Sequence, residues 1–373
     1  MKQPAIVVGL FLLAVSSTQV LAQGRGGAAP AGPPAALQVR VTEEILPLRI
    51  PGETLGETEG VSMNAAGHLF VFSRTGWSGS SRGGNAAKVF EFDQNLRFVK
   101  EWIPNAYGLS FAHTVRVDPD QNVWVTDEGS NMIIKVDPTG LVSMVLGRKP
   151  ESIDWFEEYI EHGVTEPVGE RPRAGRGTYN RPTDVAWGPD GSIFIADGYN
   201  NSRVVKLAAD GTWIKEFGTY GSGDGQMNTV HGIAAGYGHV YVADRGNRRI
   251  QVFDTEGKFL RQFIIDVPVD TTKGKIVYGG ETPNAKTGSQ APGAPDALCM
   301  TPGPNPVLFV GDLYPSRVYK VSLEGKVLGV YGQPGRNPGE FGWIHAIACP
   351  SEDEIYVGEL INWRVQKLVT KKK

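Results

Sequence analysis

Between Val61 and Leu368 the chain cycles through one pattern of apolar and polar positions. A short apolar strand leads into a Pro-Asp-Gly-type turn. A second strand ends in Asp, a polar turn follows, and a third apolar strand completes the unit. The pattern is plainest in Val115–Val136 (VRVDPDQNVWVTDEGSNMIIKV), Val185–Leu207 (VAWGPDGSIFIADGYNNSRVVKL) and Ile233–Phe253 (IAAGYGHVYVADRGNRRIQVF). Weaker copies occupy Val61–Phe92, Ala297–Val321 and Ala346–Leu368. Most copies are followed by a fourth stretch of alternating polarity, as in Trp213–Phe217 and Phe259–Phe263, which is the period of a half-buried strand. Four short antiparallel strands per unit predict a propeller blade, and six units predict an all-β, six-bladed β-propeller. Residues 37–50 belong to none of the units. They predict an extra strand that completes the last blade, so that N- and C-terminal strands close the ring and protect its edges.

The start of the chain has a different pattern. Lys2 precedes an apolar run from Ala5 to Val15, and Val20-Leu21-Ala22 offers a cleavage site. Residues 1–22 therefore predict a secretory signal peptide, with an apolar run too short to span a bilayer. Residues 23–36 predict a flexible Gly/Ala/Pro leader, and residues 37–370 the propeller. A secreted or periplasmic location follows, with no membrane span, and a monomer is expected. Two insertions interrupt the repeat. Residues 148–180 include a short helix-like stretch, Asp154–Ile160, and residues 266–295 are a Gly/Pro/Thr loop. Each is either a tolerated surface insertion or a wall over one face of the ring.

Composition adds three constraints. The 48 glycines and 25 prolines, without collagen period, agree with many turns. A formal charge of −3 leaves no broad basic surface, so nucleic acid is not an expected partner. The two cysteines, Cys299 and Cys349, cannot make a disulfide framework; buried free thiols are expected ahead of a single bridge.

Aligning the units on the acid that ends the second strand brings out the chemistry. His113 precedes Asp127, His231 precedes Asp244 and His345 precedes Glu359 at nearly the same spacing. These three of the six histidines share one repeat position, at the start of the innermost strand of alternate blades. Glu59, Thr183 and approximately Asp296 fill the same position in the other blades. One such histidine would ordinarily cap a strand or satisfy a carbonyl. Three related by a third of a turn converge on the channel axis and leave a fourth direction open, which is the pattern of catalytic zinc. Three imidazoles also suit copper, iron or nickel. His68, His162 and His239 fall in turns or in an insertion and carry no such expectation.

The turn after the second strand opens on the same face. It supplies Arg74 in blade 1, Tyr199 in blade 3 and Arg245 in blade 4. Each alone would be a surface ion pair or a rim aromatic. Beside the histidines, the arginines suit a carboxylate. They are also expected to lower the pKa of a neighbouring tyrosine, letting it act as a general base.

The segments VFSRTGW (Val71–Trp77), NVWVTD (Asn122–Asp127), RPTDVAWGPDGSIFIADGYNNSRVVKL (Arg181–Leu207), VADRGNRRIQVF (Val242–Phe253) and IYVGELINWRVQKL (Ile355–Leu368) resemble the NHL-repeat propeller of the peptidyl-α-hydroxyglycine α-amidating lyases. The resemblance covers nearly all of the expected mature chain. It implies a lyase that splits a small-molecule or peptide carbinolamide, an N-acyl-α-hydroxyglycine, into an amide and glyoxylate. It implies that His113, His231 and His345 bind Zn2+, that Tyr199 is the base, and that Arg74 and Arg245 hold phenolate or substrate carboxylate. It also raises a structural Ca2+, but the Asp that helps hold that ion in the animal enzymes is Ala346 here, which puts calcium in doubt. Asn200 follows Tyr199, so the disulfides found near the tyrosine in those enzymes are absent. Two other classes stay open. A lactonase-type propeller hydrolase is disfavoured by histidines in place of Glu, Asn and Asp ligands. A non-catalytic NHL scaffold would have no need of matched channel histidines.

Overall fold

In the computed structural model, residues 32–74, 87–149, 175–270 and 288–370 are described. The signal peptide, most of the leader, the Asp154–Ile160 stretch, most of both insertions and the terminal lysines lie outside them.

Six four-stranded antiparallel sheets make up the ring. Their first strands are Glu57–Met63, Ala112–Val117, Asp184–Trp187, Val230–Gly236, Pro295–Met300 and Ile344–Ala348, in blades 1 to 6. These first strands contact one another around the ring and so line the channel. The second strands are Leu69–Arg74, Val123–Asp127, Ile193–Asp197, His239–Asp244, Leu308–Asp312 and Glu354–Glu359. The outermost strand of blade 6 comes from the other end of the chain. Val41–Ile45 pairs with Arg364–Thr370, with Val41 opposite Thr370 and Ile45 opposite Gln366. The expected extra strand therefore exists and closes the ring, shorter than residues 37–50, with a 3-10 turn at Ala35–Leu37 before it.

The polarity of each strand follows its radial position. Outer strands such as Trp213–Phe217 and Phe259–Phe263 alternate between half-buried and exposed residues. Second strands such as Ile193–Asp197 are buried along their whole length, because both faces of the blade meet a neighbour. Six apolar clusters fill the six seams, one between each pair of adjacent blades. Leu46 and Leu48, just beyond the closing strand, pack into the seam between blades 6 and 1. Each large side chain buried this way contributes roughly 1.5–3 kcal/mol, so the seams rather than the individual sheets hold the ring. Close packing at the axis also needs small residues. A Cβ on Gly60 would strike the backbone of Val115 in the next blade.

The two cysteines do not stay free. Cys299 and Cys349 form a disulfide with Cα atoms 6.0 Å apart, linking the C-terminal ends of the innermost strands of blades 5 and 6 across 50 residues of sequence. The repeat places both at corresponding ends of adjacent strands, which brings their side chains together. At that same end of the channel lies a cavity of about 920 Å³, lined by residues including Met63, Trp187, Tyr237 and Met300. Among the described residues no helix is long and apolar enough to cross a membrane.

Candidate metal centre

The site lies at the opposite end of the channel, where the innermost strands begin. There the strand register shifts in five blades. The irregularities fall at Thr58/Gly60, Ala112/Thr114, Val230/Ile233, Pro295/Ala297 and Ile344/Ala346. The residues they flank are Glu59, His113, His231, Asp296 and His345. A bulge re-aims a side chain that a regular ladder would send into a seam. This is how one repeat position comes to face the axis in blade after blade.

One ring nitrogen from each of His113, His231 and His345 lies within 4.8 Å of the others, and the ring centroids are 4.7, 4.8 and 5.0 Å apart. All three are buried. The remaining blades hold them in place. His113 Nδ1 donates to Thr183 O at 2.6 Å, His231 Nδ1 to Asp296 O at 2.9 Å, and His345 Nδ1 to Glu59 O at 2.8 Å. Each histidine is thus fixed by the backbone carbonyl at the equivalent position of the next blade. A carbonyl can only accept, so each bond sets the Nδ1–H tautomer and leaves the Nε2 lone pair for the axis. His113 Nε2 is buried with no hydrogen-bond partner. Burial, and then the neighbouring imidazoles, push the His113 pKa well down. Burial, and then Arg245, bring His231 to about 4. His345 is lowered chiefly by burial. Neutral, convergent imidazoles fit a metal ion bound through nitrogen; the His113 Nε2 is unpartnered, the His345 Nε2 lies 3.1 Å from Glu59 Oε2 and the His231 Nε2 meets the Tyr199 hydroxyl.

Arg74, Tyr199 and Arg245 gather around this centre. The Tyr199 hydroxyl donates to His231 Nε2 at 3.1 Å and accepts from Arg245 Nη2 at 3.4 Å. Tyr199 reaches that position because Gly198 lies hard against the Val230 carbonyl, where any Cβ would collide. Arg245 Nη1 also bonds Asp296 Oδ1 at 2.7 Å. Arg74 is buried between Glu57 at 2.5 Å and Glu59 at 2.9 Å, with its guanidinium over the Phe111 ring. Burial opposes charge on Asp296, yet His231 and Arg245 hold its carboxyl well below the usual range. For Glu59 burial prevails over Arg74 and pushes its pKa to about 8.

One expectation is corrected here. Burial raises the Tyr199 phenol to about 12, and Arg245 only partly offsets it. Burial outweighs the opposing charges of Arg245 and Arg181, and the acids Glu128 and Asp296 add to the rise.

Sequence reasoning missed three residues at this mouth. Arg181 lies over the Tyr199 ring at 4.4 Å and pairs with Glu128. Trp343 Nε1 donates to Asp296 Oδ2 at 2.5 Å. Arg181 and Trp343 both have φ of +59°, a left-handed conformation that costs non-glycine residues energy and often marks a functional site. Each lies two residues ahead of the position held by Thr183 or His345, so the repeat alignment carried a signal for them. Glu128 occupies the turn position used by Arg245.

Comparison with known proteins gives the geometry a context. The NHL repeat model matches residues 179–207 and 227–253. A probable peptidyl-α-hydroxyglycine α-amidating lyase of Caenorhabditis elegans is 25% identical over 322 residues, covering 75% of this chain and 86% of that protein. Peptidylglycine α-amidating monooxygenase of Rattus norvegicus is 26% identical over 330 residues, covering 82% of this chain but only 29% of that protein. A gluconolactonase structure from Xanthomonas campestris superposes with a TM-score of 0.57 at 14% identity, over 93% of this chain and 96% of that one. That last likeness concerns the fold alone. The repeats and the relatives together bear out the resemblance to the amidating lyase family.

Proposed function

We propose that this chain is an exported zinc lyase that cleaves an N-acyl-α-hydroxyglycine to an amide and glyoxylate. The observation that carries the reading is the contact of the Tyr199 hydroxyl with both a buried histidine of the convergent triad and a buried arginine. Relatives named as amidating lyases support it. The Cys299–Cys349 bridge supports export to an oxidising compartment.

His113, His231 and His345 would hold the ion. Bound zinc supplies Lewis acidity toward the substrate oxygen and positive charge beside the phenol. The chain's own groups do the rest. Tyr199, as phenolate, takes the proton of the carbinol hydroxyl. The carbon–nitrogen bond breaks as the carbonyl forms, and the proton goes to the departing amide nitrogen. Arg245 stabilises the phenolate through its bond to the Tyr199 oxygen. Arg74 and Arg245 are paired with acids, but Arg245 Nε is buried without a hydrogen-bond partner and would offer a donor to the substrate carboxylate. Burial of the triad excludes water from the reacting centre.

The test is direct. Zinc-loaded protein incubated with α-hydroxyhippurate should release benzamide and glyoxylate in equal amounts. Zinc-containing protein that releases no glyoxylate overturns the substrate assignment.

A further inference from the structure

Directly below the histidine layer the channel holds a single charged pair among the described residues. Arg116 lies on the same strand as His113. Its Nε donates to Asp184 Oδ1 at 2.9 Å and its Nη2 to Oδ2 at 2.6 Å, a bidentate arrangement that fixes the guanidinium plane. Nη2 also reaches Leu298 O at 3.0 Å, and Nη1 reaches Ile347 O at 3.4 Å. Asp184 in turn accepts the N–H of Ile233 at 3.1 Å and of Val185 at 2.9 Å. One ion pair therefore touches the innermost strands of blades 2, 3, 4, 5 and 6.

Every strand it touches carries a member of the layer above. His113 shares the strand of Arg116, and Thr183 adjoins Asp184. His231, Asp296 and His345 each stand two residues ahead of Ile233, Leu298 and Ile347. The pair is thus the floor of the metal centre and ties together the strands that aim it.

A divalent cation on the axis at this depth would need the same acceptors: the Asp184 carboxylate and the inward carbonyls of Leu298 and Ile347. Arg116 has taken them, and Ala346 offers no carboxylate. A structural calcium ion does not fit here. We propose that the Arg116 guanidinium is the chain's own axial cation: it replaces a structural divalent ion, and by tying five innermost strands it positions the three histidines for their metal. The positioning half rests on the zinc reading above; the axial-cation half does not. Unlike a bound ion, a guanidinium cannot dissociate, so closure at the axis becomes independent of calcium concentration.

The experiment uses the full chain, stripped of metal and dialysed. It reads thermal unfolding with and without millimolar calcium, and zinc affinity by competition with a chromogenic chelator. The wild-type midpoint should not respond to calcium. Arg116→Ala should unfold at lower temperature and regain part of the loss with calcium but not with magnesium. The double variant Arg116→Met/Asp184→Leu leaves no orphaned charge and should fold, yet bind zinc about ten-fold more weakly than wild type. A wild-type midpoint that rises with calcium overturns the axial-cation claim, as does a folded Arg116→Ala that calcium fails to stabilise. A double variant with wild-type zinc affinity overturns the positioning claim. If Arg116→Ala does not fold, the wild-type and double-variant measurements still decide. If wild type binds no zinc at all, the metal reading falls and the positioning claim with it, while the calcium measurements still judge the axial cation.

Discussion

The two ends of the channel are made by the same six strands and differ in almost everything else. Where the strands begin, register shifts turn histidines and acids toward the axis, and the buried arginines Arg74 and Arg245 face acids. Where they end, the lining of the wide cavity includes Met63, Trp187 and Met300, beside the Cys299–Cys349 disulfide and the inner face of Arg116. A shared scaffold thus gives one crowded polar end and one open, mostly apolar end, divided by the Arg116–Asp184 pair. The difference shows that shape alone does not locate function in a propeller. The roomy cavity is at the apolar end, while the groups able to bind a metal and move a proton are at the other.

The largest effect should come from removing one ligand at the polar end. His231→Ala should lose about one zinc per chain and drop glyoxylate release to background, because two imidazoles cannot keep the ion in place. Met63→Ala at the apolar end should change neither. Metal analysis beside a glyoxylate assay checks both, and equal zinc in the two variants would erase the proposed contrast. Tyr199→Phe comes next. It should keep the fold and the metal while slowing turnover by about 10²–10⁴-fold, the range for a lost general base. Unchanged turnover would remove Tyr199 from the reaction.

What the sequence made legible was whatever the repeat fixes. The blade period puts His113, His231 and His345 at one position, and that position did converge. The same alignment could have exposed Arg181 and Trp343, which share an offset from it, but neither has a residue type that signals a site by itself. Tyr199 was misjudged in its electrostatics because the depth of its burial, and the nearness of acids from other strands, are set only by the fold. Asp296, which neutralises Arg245, is far away in sequence. The disulfide escaped for a related reason. Adjacency of Cys299 and Cys349 depends on which blades neighbour each other and where their strands end.

That disulfide sharpens the comparison from the apolar end. Cys349→Ser should cost about 2–5 kcal/mol of stability and leave zinc affinity and glyoxylate release unchanged. Denaturant unfolding gives the first quantity and a chelator titration the second. A variant that loses zinc as well as stability would mean that the two ends are coupled along the strands of blades 5 and 6.

The smallest effect concerns an acid at the polar end that belongs to no proposed chemistry. Asp312 ends the second strand of blade 5, as Asp197 and Asp244 do in blades 3 and 4. Those two pair with Arg203 and Arg249 from the next strand, whereas Asp312 accepts from the Tyr319 hydroxyl at 2.7 Å and from backbone N–H groups. Burial outweighs these bonds and pushes its pKa up to about 6. A carboxyl with a folded-state pKa above its unfolded value binds its proton more tightly when folded. Its contribution is therefore most favourable at and below the unfolded pKa, falls as pH rises from about 4 to about 6, and is constant above that. The full swing is at most about 3 kcal/mol. Asp312→Asn cannot ionise, so the difference in unfolding free energy between wild type and variant should shift in favour of the variant between pH 4 and pH 7. A difference that stays flat across this range would mean that the Tyr319 and backbone bonds, with the charge of Arg317 nearby, keep Asp312 ionised.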